Sequence, residues 1–248
     1  MASKERFLTS NKLYHGDCLK FLAELPSDSV DALITDPPYS SGGLHIGSRQ
    51  QSTASKYMQG SHSKHADFAG DHRDQRSHLA WSVLWLSEAY RALKPGAAVC
   101  IFSDWRQLPI TTDALQAAGF TWRGVAAWDK TEGVRPQLGR FRAQAEFMIW
   151  GSKGRMPLDR QAPVLPGVIR SPVRKADKHH MTGKPTELMR EVVKLCERGG
   201  TILDPFAGSG TTLIAAQLEG FNWLGSEMLE HNIQVINQRL ATLEPQAA

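Results

Sequence analysis

Asp36, Pro37, Pro38 and Tyr39 bring a carboxylate, two proline-flanked carbonyls and an aromatic ring together within four residues. They follow Val30-Asp31-Ala32-Leu33-Ile34-Thr35, which reads as a short buried strand ending in the carboxylate. Proline fixes φ and carries no N–H, so the pair leaves a rigid cluster of acceptors beside the ring. Open α/β sheets bind ligands at the carboxyl ends of their strands. The cluster suits a planar group that donates hydrogen bonds and stacks, as the exocyclic amine of a nucleobase does. A proline-rich turn with no ligand fits the same residues.

A second segment, Thr201-Ile202-Leu203-Asp204-Pro205-Phe206-Ala207-Gly208-Ser209-Gly210-Thr211-Thr212, reads as strand, glycine turn and helix. Glycines let a backbone approach a ligand closely, and the helix start offers free N–H groups. A tight strand-to-helix turn is the plain alternative. A phosphate-binding loop is disfavoured because no lysine follows Gly210. A dinucleotide turn fits poorly because G-x-G-x-x-G is not completed.

Together the two segments resemble the amino-group DNA methyltransferases that methylate adenine N6 or cytosine N4, in the permuted β-type order, over residues 12 to 240. The resemblance implies a three-layer Rossmann-like α/β fold, with a mostly parallel seven-stranded sheet containing one antiparallel strand. It implies that Asp36 and the Pro37 carbonyl accept from the target amine and that Tyr39 stacks on a base flipped out of the duplex, with Pro38 completing the motif. S-adenosylmethionine is the implied cofactor. Phe206, Ala207, Gly208, Ser209 and Gly210 correspond to its loop, with Asp204 at the strand end, and Asp36 also meets it. Glu227, ending the next strand, corresponds to the acid that binds the ribose hydroxyls. Asp17 and Cys18, in His15-Gly16-Asp17-Cys18, correspond to the segment that receives the cofactor's adenine amine. Lys184 and Thr186, in Gly183-Lys184-Pro185-Thr186, correspond to the segment that contacts its methionine part, although His179-His180-Met181-Thr182 stands where a histidine-proline pair is usual. Ala127–Lys130 and Glu146–Trp150 resemble the two strands that close the far side of the base pocket. Phe141 or Arg142 between them is within reach of DNA, and the tryptophans read as core residues.

In this family D-P-P-Y accompanies adenine N6 more often, and S-P-P-Y cytosine N4, so adenine in double-stranded DNA is the expected substrate. Cytosine N4 methylation is the alternative within the family, and a catalytically inactive DNA-binding module is the alternative from another class. A cytosine-C5 enzyme needs a nucleophilic cysteine, in that family after proline, and none of Cys18, Cys100 and Cys196 follows one. With no nuclease motif apparent, an orphan or phage-borne modification enzyme is expected, with a homodimer compatible with the resemblance.

These residues need a scaffold of alternating elements. Strands are expected at 12–15, 30–35, 97–102, 121–128, 145–150, 201–203 and 221–226. Helices are expected at 17–25, 78–93, within 104–118, from Pro185 to about Glu197, at 211–219 and near 230–242. Lys94-Pro95-Gly96 is expected to stop the second helix, and Gly199-Gly200 the fourth. The alternation implies a mostly parallel sheet in one catalytic domain covering the chain. Residues 40–77, rich in Ser, Gly, His and Gln, read as a mobile loop insert. Residues 151–183 lack periodicity and read as a short target-recognition segment.

The charge pattern agrees. Ten of the 29 Lys/Arg fall between Arg135 and His180, against three of the 25 Asp/Glu, which leaves the rest of the chain slightly acidic despite a net charge of +4. Such concentration is the footprint of a phosphate-binding surface, and Arg135, Arg140, Arg142, Arg155, Arg170, Arg174, Lys175 and Lys178 are its candidate contacts. Five histidines between His45 and His78 include the close pair His62 and His65, but no cysteine joins them, so a solvated or DNA-contacting loop is expected rather than a metal site. The scattered cysteines read as buried thiols suited to a reducing cytoplasm. No apolar run is long enough to span a bilayer, and the first residues lack a signal-peptide core.

Overall fold

Two strands that end in aspartate, Val30–Thr35 (β2) and Thr201–Asp204 (β7), lie side by side at the centre of one sheet. The computed structural model describes residues 11–40, 73–134, 136, 138–173 and 183–243. The remaining strands are Lys12–His15 (β1), Leu93–Ser103 (β3), Thr121–Asp129 (β4), Ala145–Ser152 (β5), Val168–Arg170 (β6) and Asn222–Glu227 (β8). The sheet order is β1-β8-β7-β2-β3-β5-β4-β6. Every neighbouring pair is parallel except the two made by β5, which runs against both β3 and β4. The single antiparallel strand is as expected, but among the described residues the sheet has eight strands rather than seven. The addition is β6, whose three residues pair with Ala127–Asp129. Three residues are too few to show a period, so this strand exists by pairing rather than by pattern.

The helices are Cys18–Glu24 (α1), Gln75–Ala92 (α2), Leu108–Ala117 (α3), Thr186–Val192 (α4), Thr211–Leu218 (α5) and Glu230–Ala241 (α6). Side chains alternate across the central strands, as a period of two requires. Leu33, Val99 and Ile101 join Phe21, Trp85, Leu86 and Leu115 from α1, α2 and α3 in one core. Ile34, Cys100, Phe102 and Ile202 join Leu188, Met189, Leu213 and Ile236 from α4, α5 and α6 in the other. Helices therefore cover both faces, which makes three layers.

Differences from the expected boundaries have local causes. Asp74 caps α2 by accepting from the Ser77 N–H at 2.9 Å, so this helix begins at Gln75, three residues early. Lys94-Pro95-Gly96 does not follow the helix as a break. Leu93 turns directly into β3, and the Pro-Gly pair is absorbed in a register irregularity between Val30 and Ala32 of β2. A residue without an N–H is tolerated at such a bulge. Pro109 lies in the first turn of α3, where it interrupts nothing. No described helix is long and apolar enough to cross a membrane.

Leu33 is fully buried between β3 and β7. Leu33→Ala is expected to cost about 2–5 kcal/mol of unfolding free energy, read as a lowered midpoint in denaturant titration.

Candidate active site

β2 leads on to β3 at one side of the centre, while β7 leads on to β8 at the other. A reversal of this kind opens a crevice at the carboxyl ends of the two strands. Here it is a cavity of about 1050 Å³. Thr35 at the end of β2 donates its hydroxyl to Asp204 Oδ1 at 2.6 Å, tying the two strand ends together.

One wall is a buried set of charges. Asp36 follows β2, Glu146 is the second residue of β5, and Lys184 precedes α4. The Lys184 ammonium lies 2.6 Å from Asp36 Oδ2, 2.8 Å from Glu146 Oε1 and 3.1 Å from the Tyr39 hydroxyl. Tyr39 donates to Asp36 Oδ1 and is also 3.0 Å from Glu146 Oε1. Lys130, just past β4, reaches Glu146 Oε2 at 3.5 Å. The Lys184 side chain is only 6% exposed. Burial alone would discharge it, but Asp36 and Glu146 outweigh burial and hold its pKa above that of an ordinary lysine. Burial also raises the proton affinity of Asp36. Lys184 opposes that rise, the nearby Glu146 charge adds to it, and the result lies above the usual carboxylate range. Glu146 is desolvated too, but Lys184 and Lys130 prevail and its pKa falls. Burial and both carboxylates push the Tyr39 phenol well above its ordinary value.

The other wall is the glycine turn. Phe206 packs against Trp81 and Trp85 of α2, with ring centres 5.4 and 5.0 Å away, so the far layer holds the loop in place. Glu227, at the end of β8, accepts from the Gly208 N–H at 2.9 Å and from the Leu229 N–H at 2.8 Å. Burial raises its pKa, against these hydrogen bonds. Asp17 caps α1 through Oδ1, accepting from the Leu19 and Lys20 N–H groups at 3.0 and 3.3 Å. Gly208 takes a left-handed φ of 54°, and a Cβ built there meets nothing nearer than the Phe206 carbonyl at 4.0 Å. Its missing side chain keeps the cavity wall open.

Asp17, Cys18, Asp36, Pro37, Pro38, Tyr39, Lys184, Asp204, Phe206, Ala207, Gly208, Ser209 and Glu227 therefore share one cavity. Gly210 and Thr186 do not line it. Gly210 is the left-handed residue opening α5, and a Cβ there would lie 2.8 Å from Ile236 Cγ1, so it serves the turn and its packing. Thr186 accepts at 3.4 Å from Arg239 of α6, which also donates to the Ser209 carbonyl at 2.5 Å. It braces the loop from behind.

The basic candidates separate. Arg142 lines the cavity and donates to the Glu132 and Val134 carbonyls, and Arg140 is exposed beside it. Arg170, on β6, lies 3.7 Å from Asp129 at the cavity end of β4. Arg155 stands apart from these. It follows the far end of β5, where its carbonyl faces Gly96 near the start of β3, on the side of the sheet opposite the cavity. The antiparallel course of β5 carries it away. Arg135, Arg174, Lys175 and Lys178 lie outside the described residues, as do His45, His62, His65 and almost all of the expected 40–77 loop. His78 is buried in α2, where burial and Arg73 lower its pKa to about 4. The three cysteines are buried free thiols, each pushed up to about 12 chiefly by burial. Trp128 is core-like, donating to the Ser171 carbonyl at 2.8 Å.

Sequence reasoning missed the charge on Glu146 as a site group, together with Lys130, Arg73 and the Trp105-Arg106 pair on the cavity rim. For Glu146 a signal existed: an acid placed inside the apolar run Ala145–Trp150.

The model of the N6_N4_Mtase family, described as DNA methylase, matches residues 30–165 and 165–238. The chain belongs to this family. Among similar proteins, YubD of Escherichia coli (strain K12), a methylase by name, is 31% identical over 235 residues, covering 94% of this chain and 92% of its own. The type II methyltransferase M2.DpnII of Streptococcus pneumoniae is 27% identical over 252 residues, covering 92% and 88%. In three dimensions the crystal structure of the M1.HpyAVI–SAM complex aligns with a TM-score of 0.66 at 22% identity, covering 92% of this methylase and 98% of that chain.

Asp204 yields a pH test. Burial raises its pKa from 3.8 to about 6, against hydrogen bonds from Thr212, Thr35 and the Phe206 N–H. A raised carboxylate favours the fold while protonated, and that stability is lost as pH rises from about 4 to about 6. The Asp204→Asn variant of this methylase cannot ionise there. Unfolding midpoints measured across that range should show the variant gaining on the parent, on the order of 2 kcal/mol.

Proposed function

We propose that this DNA methylase transfers a methyl group from S-adenosylmethionine to the exocyclic N6 of an adenine flipped out of double-stranded DNA. The observation that carries the reading is the single cavity shared by the Asp36–Tyr39 acceptor cluster and the Phe206–Ser209 turn. The open wall at Gly208 and the carboxylate of Glu227 suit a nucleoside sulfonium, with Asp17 and Cys18 toward its adenine end. When bound, that group supplies an electrophilic methyl.

An aromatic amine is a poor nucleophile because its lone pair is delocalised into the ring. Asp36, held by Lys184, and the Pro37 carbonyl beside it would accept the two amine hydrogens. They would thereby favour a pyramidal nitrogen whose lone pair faces the methyl. Because Lys184 and Tyr39 fix Asp36 and the two prolines stiffen the turn before the base arrives, the gain is one of proximity and electrostatic preorganisation. The Tyr39 ring supplies the stacking face. Asp36 at the head of D-P-P-Y supports adenine over cytosine.

The DNA surface in this reading is the cavity rim. The 130–144 connection carries Leu138 and Phe141, both fully exposed, with Arg140 and Arg142 beside them. Trp105, with Arg106 stacked 4.8 Å from its ring centre, stands on the same rim. Residues 151–183, with β6 inside them, are the proposed target-recognition segment. The reading extends to a cytoplasmic modification enzyme without a metal requirement, with a homodimer carried over from the resemblance.

DNA treated with the purified protein and labelled S-adenosylmethionine is expected to yield labelled N6-methyladenine by nucleoside mass spectrometry. Label in N4-methylcytosine instead would overturn the base assignment. Asp36→Ala is expected to lose methyl transfer by at least about a hundredfold while keeping cofactor affinity, and equal loss of both would remove Asp36 from the base-binding role.

Replacing Arg140 and Arg170 by Gln should weaken DNA binding across all sequences. The slope of log affinity against log salt should then flatten by about 0.9 per lost phosphate contact; an unchanged slope moves the DNA surface elsewhere.

A further inference from the structure

We propose that Tyr39 and Glu146 form a proton exit from Asp36, carrying the proton shed by the methylated amine out to solvent beside Lys130. The proposal rests on the preceding reading only in requiring that an exocyclic amine is methylated; either base serves.

Methylation leaves the exocyclic nitrogen with a positive charge and one hydrogen too many. One N–H bond must break, with its electron pair returning to nitrogen and the proton bonding to an oxygen. Asp36 is the carboxylate at the cavity, and its side chain, a quarter exposed there, would be cut off from water once a base and the cofactor fill that cavity. Its hydrogen-bond partners give a continuous alternative. The Tyr39 hydroxyl bridges Asp36 Oδ1 and Glu146 Oε1, the latter at 3.0 Å. The second Glu146 oxygen faces Lys130, a partly exposed side chain 3.5 Å away.

The transfer balances. Asp36 gives its proton to the Tyr39 oxygen while the Tyr39 O–H bond breaks toward Glu146. The phenol is regenerated neutral, Glu146 is protonated, and Glu146 then releases the proton to water. Asp36 and Glu146 both return to carboxylates, and one proton has left the site.

The surroundings divide the roles: the step from Asp36 to Glu146 runs uphill and is completed by loss of the proton from Glu146 to water. Glu146 faces Lys184, Lys130, Tyr39 and Asp36, while Asp36 faces Lys184, Glu146, Tyr39 and, across β7, Asp204. Burial and these charges leave Asp36 with the higher proton affinity and Glu146 with the lower. Asp36 is thus the group that captures, and Glu146 one that does not retain. Burial keeps Tyr39 from persisting as phenolate, so both of its bonds must change together. Lys184, 2.6–3.1 Å from all three oxygens, holds them in register without joining the transfer.

The test compares the parent with Glu146→Gln and Tyr39→Phe, each checked for folding by its unfolding midpoint. In the cofactor-free protein, carboxyl carbon NMR should show the Asp36 titration moving down in Glu146→Gln, because a like charge is gone and Lys184 is left to Asp36. In single-turnover methylation both variants should lose at least about tenfold in rate near neutral pH. They should recover as rising pH lets solvent base take the proton, over a range where the parent is flat, with cofactor affinity unchanged. A loss that stays constant with pH would overturn the exit path and leave Tyr39 and Glu146 as packing. Parent-like rates in both variants would overturn it as well. If Glu146→Gln does not fold, the pH profile of Tyr39→Phe decides alone. A parent protein that methylates no base would refute the preceding function instead, and the Asp36 titration would still show whether the two carboxylates are linked.

Discussion

A lysine ammonium withdrawn from water is tolerable only where opposite charge meets it with good geometry. Lys184 is such a group, and meeting that requirement organises the whole acceptor side of the cavity. Its partners come from separate parts of the chain: Asp36 and Tyr39 from the turn after β2, and Glu146 from β5. Lys130, following β4, balances the second carboxylate. Without Lys184, two carboxylates would be left close together in a desolvated space, so the cation and the acceptors are mutually necessary. The two carboxylates and the Tyr39 hydroxyl are consequently held in place by charge.

The glycine-turn side is held by different physics. Phe206 is gripped by the tryptophans of α2, and Gly208 is fixed through Glu227. Arg239 binds the back of the turn. The two sides touch through Thr35 and Asp204, where a 2.6 Å hydrogen bond joins neighbouring strand ends. That contact exists because β2 and β7, more than 160 residues apart in sequence, are neighbours in the sheet.

Much of this could be read from residue order. The central strands read as short apolar runs bounded by turn residues, α2 carries apolar positions at helical spacing, and the two motifs lie at strand ends where an α/β sheet binds ligands. What escaped reading depends on neighbours rather than on pattern. β6 is three residues long and forms only because β4 offers an edge. Pro95-Gly96 looks like a break but is absorbed by a bulge opposite Val30 and Ala32. Glu146 looked like a strand residue, and only the fold brings it to Lys184. Arg155 looked like part of a basic surface, yet the reversed course of β5 sends it to the opposite end of the sheet. Thr186 and Gly210, close in sequence to residues that line the cavity, support it from outside.

The reversal of β5 has another effect. A parallel strand must be reached by a crossover that packs a helix on the sheet, so its length is tied to the core. β4 and β5 are antiparallel neighbours, and residues 130–144 join them as an open hairpin whose two ends, at Lys130 and at Phe141–Ala143, line the cavity. Leu138 and Phe141 in this connection are wholly exposed. The hairpin can thus lengthen, shorten or change composition without disturbing the layers beneath. It is a part of the cavity rim that can vary at little expense to folding.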